Sequence, residues 1–234
     1  MVTISGSLEK FNRSICLSFR DNQEAIINLC NLFSFNPTEA RLQRVDFAKT
    51  FKMQFEPKVY YPFLGSHQSY FRSPYKYSLN YSNTLRRLSF YNKAKEQNIS
   101  GNLLRYEQRY FKPETVFKKK LFLADLLNEE VLNYFFSNWQ TDYFKIQKIK
   151  NLIPMNNFKR PSQFFDYLIA KQATEIGNDL LFNQIKIAQR SGYLTKQNAK
   201  RIRDKMNRLS KSSFFEPNEL IKELDQKILN SKLS

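Results

Sequence analysis

The hydrophobic period of this chain changes near its middle, and that change limits the possible folds more than any other feature. Up to about Tyr110 apolar and polar residues alternate; from about Glu114 onward apolar residues recur at intervals of three and four. A period of two belongs to a half-buried strand and one of 3.6 to an amphipathic helix. Strands followed by helices, rather than strict alternation of the two, imply an α+β class. The expected organisation is an antiparallel-sheet domain over residues 1–150, with one sheet face open, and a basic helical region over 151–234. A chain of 234 residues is long enough to bury such a core.

Within the first half, Thr3 to Leu8 and Ser14 to Phe19 read as strands joined by a turn at Asn12-Arg13. Asp21 is the natural N-cap of a helix running to Phe33, with Ile26, Ile27, Cys30 and Phe33 on one stripe. Arg41 to Phe55 reads as one long strand. After an irregular aromatic loop come shorter strands at Tyr77 to Tyr81, Arg87 to Tyr91 and Leu103 to Tyr110. The second half predicts helices over Glu114 to Leu127, Glu129 to Lys150, Ser162 to Arg190, Thr195 to Leu209 and Glu219 to Leu229. Gly192 is placed to stop one helix and Thr195 to cap the next. That next helix arranges Lys196, Lys200, Arg203 and Arg208 around an Ala199, Ile202, Met206, Leu209 stripe. The pattern is that of a helix-turn-helix, and an ordinary helical hairpin with a basic outer face fits it equally well.

Charge narrows the partners. Thirty-eight Lys and Arg against 21 Asp and Glu give a formal +17, and the stretch Lys145 to Lys211 alone holds fifteen basic residues against four acidic ones. Such a field favours polyanions, nucleic acid first among them. The basic candidates in the second half include Arg201 and Lys205 besides those just named. Tyr60 to Tyr81 carries eight aromatic residues interleaved with Lys58, Arg72 and Lys76. Flat rings beside cations suit stacked bases, although a half-buried sheet accounts for such aromatics as well.

Several classes drop out. No run approaches the roughly 20 apolar residues of a membrane span; the best, Leu121 to Leu127, is short and contains Asp125. The opening residues lack the basic start and apolar stretch of a secretory leader. Cys16, Cys30 and the single histidine, His67, are too few for a disulfide scaffold or a multi-histidine metal cage. P-loop, dinucleotide-binding, nucleophile-elbow and His-rich zinc motifs are missing. A thiol hydrolase built on Cys16 or Cys30 has only the presence of thiols in its favour.

Two acids remain unusual. Asp46 and Glu107 stand inside apolar strand patterns, where a charge costs several kcal/mol unless it is paired or metal-bound. Arg44 and Arg105 lie two residues away on the same strand faces. A cross-strand ion network is the simpler explanation; oxygen ligands for Mg²⁺ or Mn²⁺ are the functional one.

The segments SGSLEKFNRS, LQRVDF, LSFYNKAKE and LLRYEQRYFK, the last followed by LADLL, resemble in order and spacing the replication initiation proteins of filamentous phages and related plasmids, the gene II/X type of rolling-circle initiator. The likeness runs from about Ile4 to Leu127, and more loosely to about Leu209. It implies a cytoplasmic enzyme in a bacterial host that nicks and rejoins origin DNA through a tyrosine nucleophile with Mg²⁺ or Mn²⁺, with host replication proteins as further partners and no membrane. By position the nucleophile is Tyr91, with Lys93 and Lys95 available to neutralise phosphate or lower the phenol's pKa. Asp46 and Glu107 become metal ligands, with Glu9 and His67 as further candidates. Arg44, Arg72, Lys76, Arg105 and the basic helices bind DNA. Relatives often carry histidine where this chain has Glu9, and aspartate where FYNK has asparagine. The alternative is a non-catalytic nucleic-acid binder, ribosomal-type or an accessory replication factor, needing neither metal nor Tyr91.

Overall fold

The computed structural model describes residues 6, 8, 19–152, 158–176, 178–209, 212, 214–216 and 218–233. Its core is a five-stranded antiparallel sheet in the order β1-β6-β5-β4-β3. The strands are β1 (Val45–Lys52), β3 (Phe71–Pro74), β4 (Ser78–Ser82), β5 (Arg86–Asn92) and β6 (Leu103–Tyr110). Helix α1 (Phe19–Phe33) precedes the sheet, and the long helix α4 (Glu129–Phe144) follows it. The fold is α+β.

Alternation sorts the strand residues onto two faces. Phe47 and Phe51 of β1, Leu104, Tyr106 and Tyr110 of β6, Leu88 and Phe90 of β5, and Leu79 and Tyr81 of β4 form the apolar face. Helix α4 supplies Phe135, Trp139 and Tyr143, all fully buried. Phe90 stacks on Tyr106 at 4.5 Å between centroids, and Tyr106 meets Trp139 at 4.8 Å. Their polar ends are satisfied reciprocally: Tyr106 Oη donates to the Trp139 carbonyl at 3.0 Å, and Trp139 Nε1 donates to the Tyr106 carbonyl at 3.2 Å. Removing a buried aromatic side chain here costs about 3–5 kcal/mol. Asn128 caps α4 by accepting from the Glu130 amide at 2.8 Å, with Glu129 and Glu130 favouring the positive end of the helix dipole.

The elements depart from the sequence expectation where long-range pairing intervenes. The strand expected over Arg41 to Phe55 is confined to Val45–Lys52. The aromatic loop contains two strands, β2 (Leu64–His67) and the sheet edge β3. The helix expected over Glu114 to Leu127 is only the short α3 (Pro113–Phe117), stopped by Lys118 at φ +56°. Beyond it, Leu121 accepts from the Leu42 amide and the Leu123 amide donates to Ala40, which keeps the chain extended before a 3₁₀ turn over Leu123–Leu127. Helix α4 ends at Phe144 instead of Lys150, because β7 (Ile146–Lys148) pairs with β2. Most of the strands expected over 3–8 and 14–19, and their turn, lie outside the described residues; Phe19 opens α1.

Two units divide the chain, and the division differs from a single cut after residue 150. The first comprises residues up to Gln147 together with Glu223 onward; the second is Lys148–Lys222. The return of the C-terminus has a clear cause. Leu224 and Ile228 are buried, Tyr143 Oη donates to Asp225 at 2.6 Å, and Tyr60 Oη donates to Glu223. Glu223, Leu224, Asp225 and Ile228 belong to α8 (Glu219–Leu229).

The second unit holds α5 (Pro161–Ile176), α6 (Asn178–Arg190), α7 (Lys196–Leu209) and a two-strand ribbon of β8 (Asn151–Leu152) and β9 (Phe215–Glu216). Ala170, Leu209 and Phe214 form its core with Leu152 and Tyr167. The α6–α7 turn follows the expected chemistry: Gly192 has φ +78°, a backbone state only glycine adopts freely, and Thr195 Oγ1 accepts from the Asn198 amide at 3.1 Å.

Candidate active site

The other face of the sheet is polar. Register places Asp46 opposite Arg109, Ala48 opposite Glu107, Glu107 opposite Ser89, Arg105 opposite Tyr91, and Arg87 opposite Arg109. The alternation Arg105, Glu107, Arg109 along β6 therefore lines up with Asp46 on one side and with Arg87, Ser89 and Tyr91 on the other.

A continuous network results. Arg44 holds Asp46 through Nε at 3.0 Å and a terminal nitrogen at 2.5 Å. Arg109 reaches Asp46 at 2.9 Å and Glu107 at 2.9 Å, so one guanidinium bridges both carboxylates. Arg105 Nε lies 4.0 Å from Glu107, and Tyr91 Oη donates to Glu107 Oε2 at 3.2 Å. Glu107 is buried; its arginine and tyrosine partners are what make that tolerable. Burial works to raise the Asp46 pKa, but hydrogen bonds from Arg44 and Arg109 outweigh it and hold the carboxyl below its usual range. Tyr91 moves the opposite way. Burial, then the Glu107 charge, push its phenol well above the ordinary value, against the opposing pull of Arg105.

Sequence-selected residues divide accordingly. Tyr91, Asp46, Glu107, Arg44 and Arg105 come together. Lys93 and Lys95 do not join them, and the expectation that they lower the phenol's pKa fails. Asn92 caps α2 (Lys93–Gln97), accepting from the Lys95 amide at 3.1 Å, and the turn into the helix carries both lysines away from the strand pattern. Lys93 is buried against Glu96 at 2.7 Å, and Lys95 pairs with Glu56 at 2.5 Å. Arg72 is committed to backbone, donating to the carbonyls of Leu64 at 2.8 Å and Tyr61 at 3.2 Å. Lys76 is exposed beside the Tyr77 ring. In the second unit Lys196, Lys200, Arg201 and Lys205 are exposed on α7, Arg203 is half-buried, and Lys205 pairs with Asp166 at 2.6 Å. Cys30 lies in an apolar cluster with Ile26 and Leu123, where burial raises its thiol pKa and disfavours a nucleophilic thiolate. Cys16 and Glu9 lie outside the described residues.

The divalent cation implied by the resemblance needs unengaged oxygen ligands. Asp46 and Glu107 share a face, but arginines already occupy both. His67 is buried, packed edge-on against Tyr70 at 4.5 Å, with Nδ1 accepting from the Ser69 amide at 3.0 Å. Among the described residues no group of three His, Cys, Asp or Glu side chains is arranged to hold a metal. These residues do not fit a preformed metal cage.

Two features escaped the sequence reading. Arg109 was visible as the third member of the Arg105, Glu107, Arg109 alternation. Asp142, three residues after Trp139 on α4, is almost fully buried; it accepts from Tyr70 Oη at 2.7 Å, Gln108 Nε2 at 2.8 Å and Arg86 at 3.1 Å. No helix among the described residues is long and apolar enough to cross a membrane. No family model, curated protein or known structure matches this chain.

Proposed function

We propose that this chain is a rolling-circle replication initiator of the phage and plasmid kind, cutting and rejoining one strand of origin DNA through Tyr91. The observation carrying the reading is the hydrogen bond from the Tyr91 phenol to Glu107, on a sheet face lined with arginines.

With its pKa raised, the phenol holds its proton at neutral pH, so attack requires a base at the moment of reaction. Glu107 Oε2 is in hydrogen-bond reach of that proton. The phenolic oxygen bonds to phosphorus, the phosphorus–O3′ bond breaks, and the departing 3′ oxygen takes up a proton to become a free hydroxyl. The 5′-phosphate stays on Tyr91 as an ester, and the reverse sequence rejoins the strand. Arg105 lies beside the phenol to balance the charge that develops on the phosphate. Arg87, which forms no ion pair among the described residues, stands directly opposite Arg109. With Arg109 already shared by two carboxylates, Arg87 is the cation of this row open to a DNA phosphate. The exposed cations of α7 suit the backbone of flanking duplex.

Labelled single-stranded oligonucleotides test this, incubated with Mg²⁺, Mn²⁺ or EDTA. The wild-type chain should give a covalent band, and Tyr91→Phe none, with DNA affinity within about twofold. An adduct in Tyr91→Phe would remove Tyr91 as nucleophile. The second reading, a binder without chemistry, draws on the commitment of both carboxylates to arginine. It predicts salt-sensitive DNA binding and no wild-type adduct under any of the three conditions.

A further inference from the structure

The eight aromatics of Tyr60 to Tyr81 separate sharply in the fold. Tyr60, Tyr61, Tyr70 and Tyr81 are buried. Phe71, Tyr75 and Tyr77 are 75%, 63% and 57% exposed, and the latter two form the tip of the β3–β4 hairpin. Two hydrogen bonds shape the tip: the Tyr75 amide donates to the Ser78 carbonyl at 2.8 Å, and Tyr61 Oη donates to the Tyr77 carbonyl at 3.3 Å. Two lysines lie near the Tyr77 ring, Lys76 Nζ at 5.2 Å and Lys95 Nζ at 5.6 Å from its centroid. Glu56 and Glu96, the acids of this neighbourhood, are each paired with lysine. Pro74 closes β3 without an amide hydrogen, so this end of the sheet edge is poorly suited to pairing with another strand.

Position gives the tip its meaning. Ser78, the residue after Tyr77, is the register partner of Tyr91. The aromatic tip and the candidate nucleophile therefore share one end of neighbouring strands. Arg87 lies four residues back along β5, about 13 Å at strand rise. A strand following the polar face from Arg87 to Tyr91 runs toward the end of the sheet that carries these two exposed rings.

We infer that Tyr75 and Tyr77 form a stacking platform for an unpaired base of single-stranded DNA beside the phosphate attacked by Tyr91, with the exposed Lys76 neutralising its backbone. The inference rests on the nicking reading for what the platform serves, but its binding is measured independently of chemistry. Exposed rings with adjacent cations recognise a base by its π-face and a polyanion by its charge, without sequence preference. Duplex, whose bases are already stacked, gains nothing from them.

Single-stranded oligonucleotides carrying 2-aminopurine at successive positions probe the platform, since stacking on an aromatic ring quenches the fluorescent base. In the full-length chain a quench is expected over one or two adjacent positions. Tyr77→Leu should abolish it and weaken single-strand binding roughly tenfold, with duplex affinity unchanged. Tyr77→Phe, which keeps the ring, should behave as wild type. Both positions are exposed, and unchanged thermal melting checks that the fold is intact. A Tyr75→Leu/Tyr77→Leu double variant with wild-type quench and affinity would overturn the inference, whether or not an adduct forms at Tyr91. A quench that depends on Tyr77 would uphold it even in a chain that forms no adduct, which would sink the nicking reading alone.

Discussion

Each face of the central sheet meets a carboxylate bonded to a tyrosine and an arginine, Asp142 from the helix α4 on one side and Glu107 from β6 on the other. On the apolar face Asp142 takes hydrogen bonds from Tyr70 at 2.7 Å, Gln108 at 2.8 Å and Arg86 at 3.1 Å. Tyr110 Oη then donates to Gln108 at 2.9 Å, closing the set beneath α4. On the polar face Glu107 takes Tyr91 at a longer 3.2 Å and shares Arg109 with Asp46. A closed set with many short partners supports the fold. An open chain of shared ion pairs can exchange a partner for a phosphate at lower cost. Burial raises the pKa of both Tyr70 and Tyr91, so phenol acidity does not separate the two sites. What separates them is which side of the sheet they occupy.

The sharpest way to break this contrast is to remove each carboxylate. Asp142→Ala leaves Arg86, Tyr70 and Gln108 without their shared acceptor and should destabilise by about 3–5 kcal/mol in urea denaturation. Glu107→Gln keeps shape, leaves Arg109 its Asp46 partner, and should cost only about 1 kcal/mol while removing the covalent adduct. Equal losses of stability would show the faces to be equivalent.

A smaller effect comes from two adjacent residues that point opposite ways. Arg86→Gln should lower stability by about 1–2 kcal/mol and leave the salt dependence of DNA binding alone. Arg87→Gln should leave melting unchanged and reduce the slope of log affinity against log salt by about one unit, the loss of one phosphate contact. Exchange of these outcomes would reverse the assignment of the faces.

The smallest effect is a pH dependence that falls in a different range on each side of the sheet. Burial lowers the His67 pKa, against the opposing pull of Asp142. The folded chain then holds fewer protons than the unfolded one below the ordinary histidine value of about 6.5. The stability from neutral His67 is present above that value and is lost as pH falls toward the folded pKa. His67→Gln should flatten the denaturation midpoint over that window, while Asp46→Asn should alter it only in the more acidic carboxylate range, where loss of Asp46 ionisation removes its arginine bonds. A His67→Gln chain with an unchanged pH slope would leave the histidine without a part in stability.

Parts of this were legible beforehand because they are local. Leu103–Tyr110 emerges over the residues its alternation marked, Glu219–Leu229 over its helical spacing, and Gly192 and Thr195 act as stop and cap. Asp46 and Glu107 stand out as charges inside apolar strand patterns and Tyr91 through the resemblance, and register puts all three on one face of the sheet. Lys93 and Lys95 depart from expectation because the strand ends at Asn92, where a helix begins and breaks the alternation. The helix expected over Glu114 to Leu127 is cut short because Leu121 and Leu123 form backbone hydrogen bonds with Leu42 and Ala40, some 80 residues earlier.

By itself the sequence determined the α+β class, the excess of positive charge, and which residues of each strand share a face, since these follow from composition and from a side-chain period of two. Only the tertiary structure decided register: Arg109 between two carboxylates, Ser78 beside Tyr91, Asp142 beneath Arg86 and Gln108. Register depends on how distant segments pack against one another, and a shift of one residue would turn every side chain to the other face without changing the pattern along the strand.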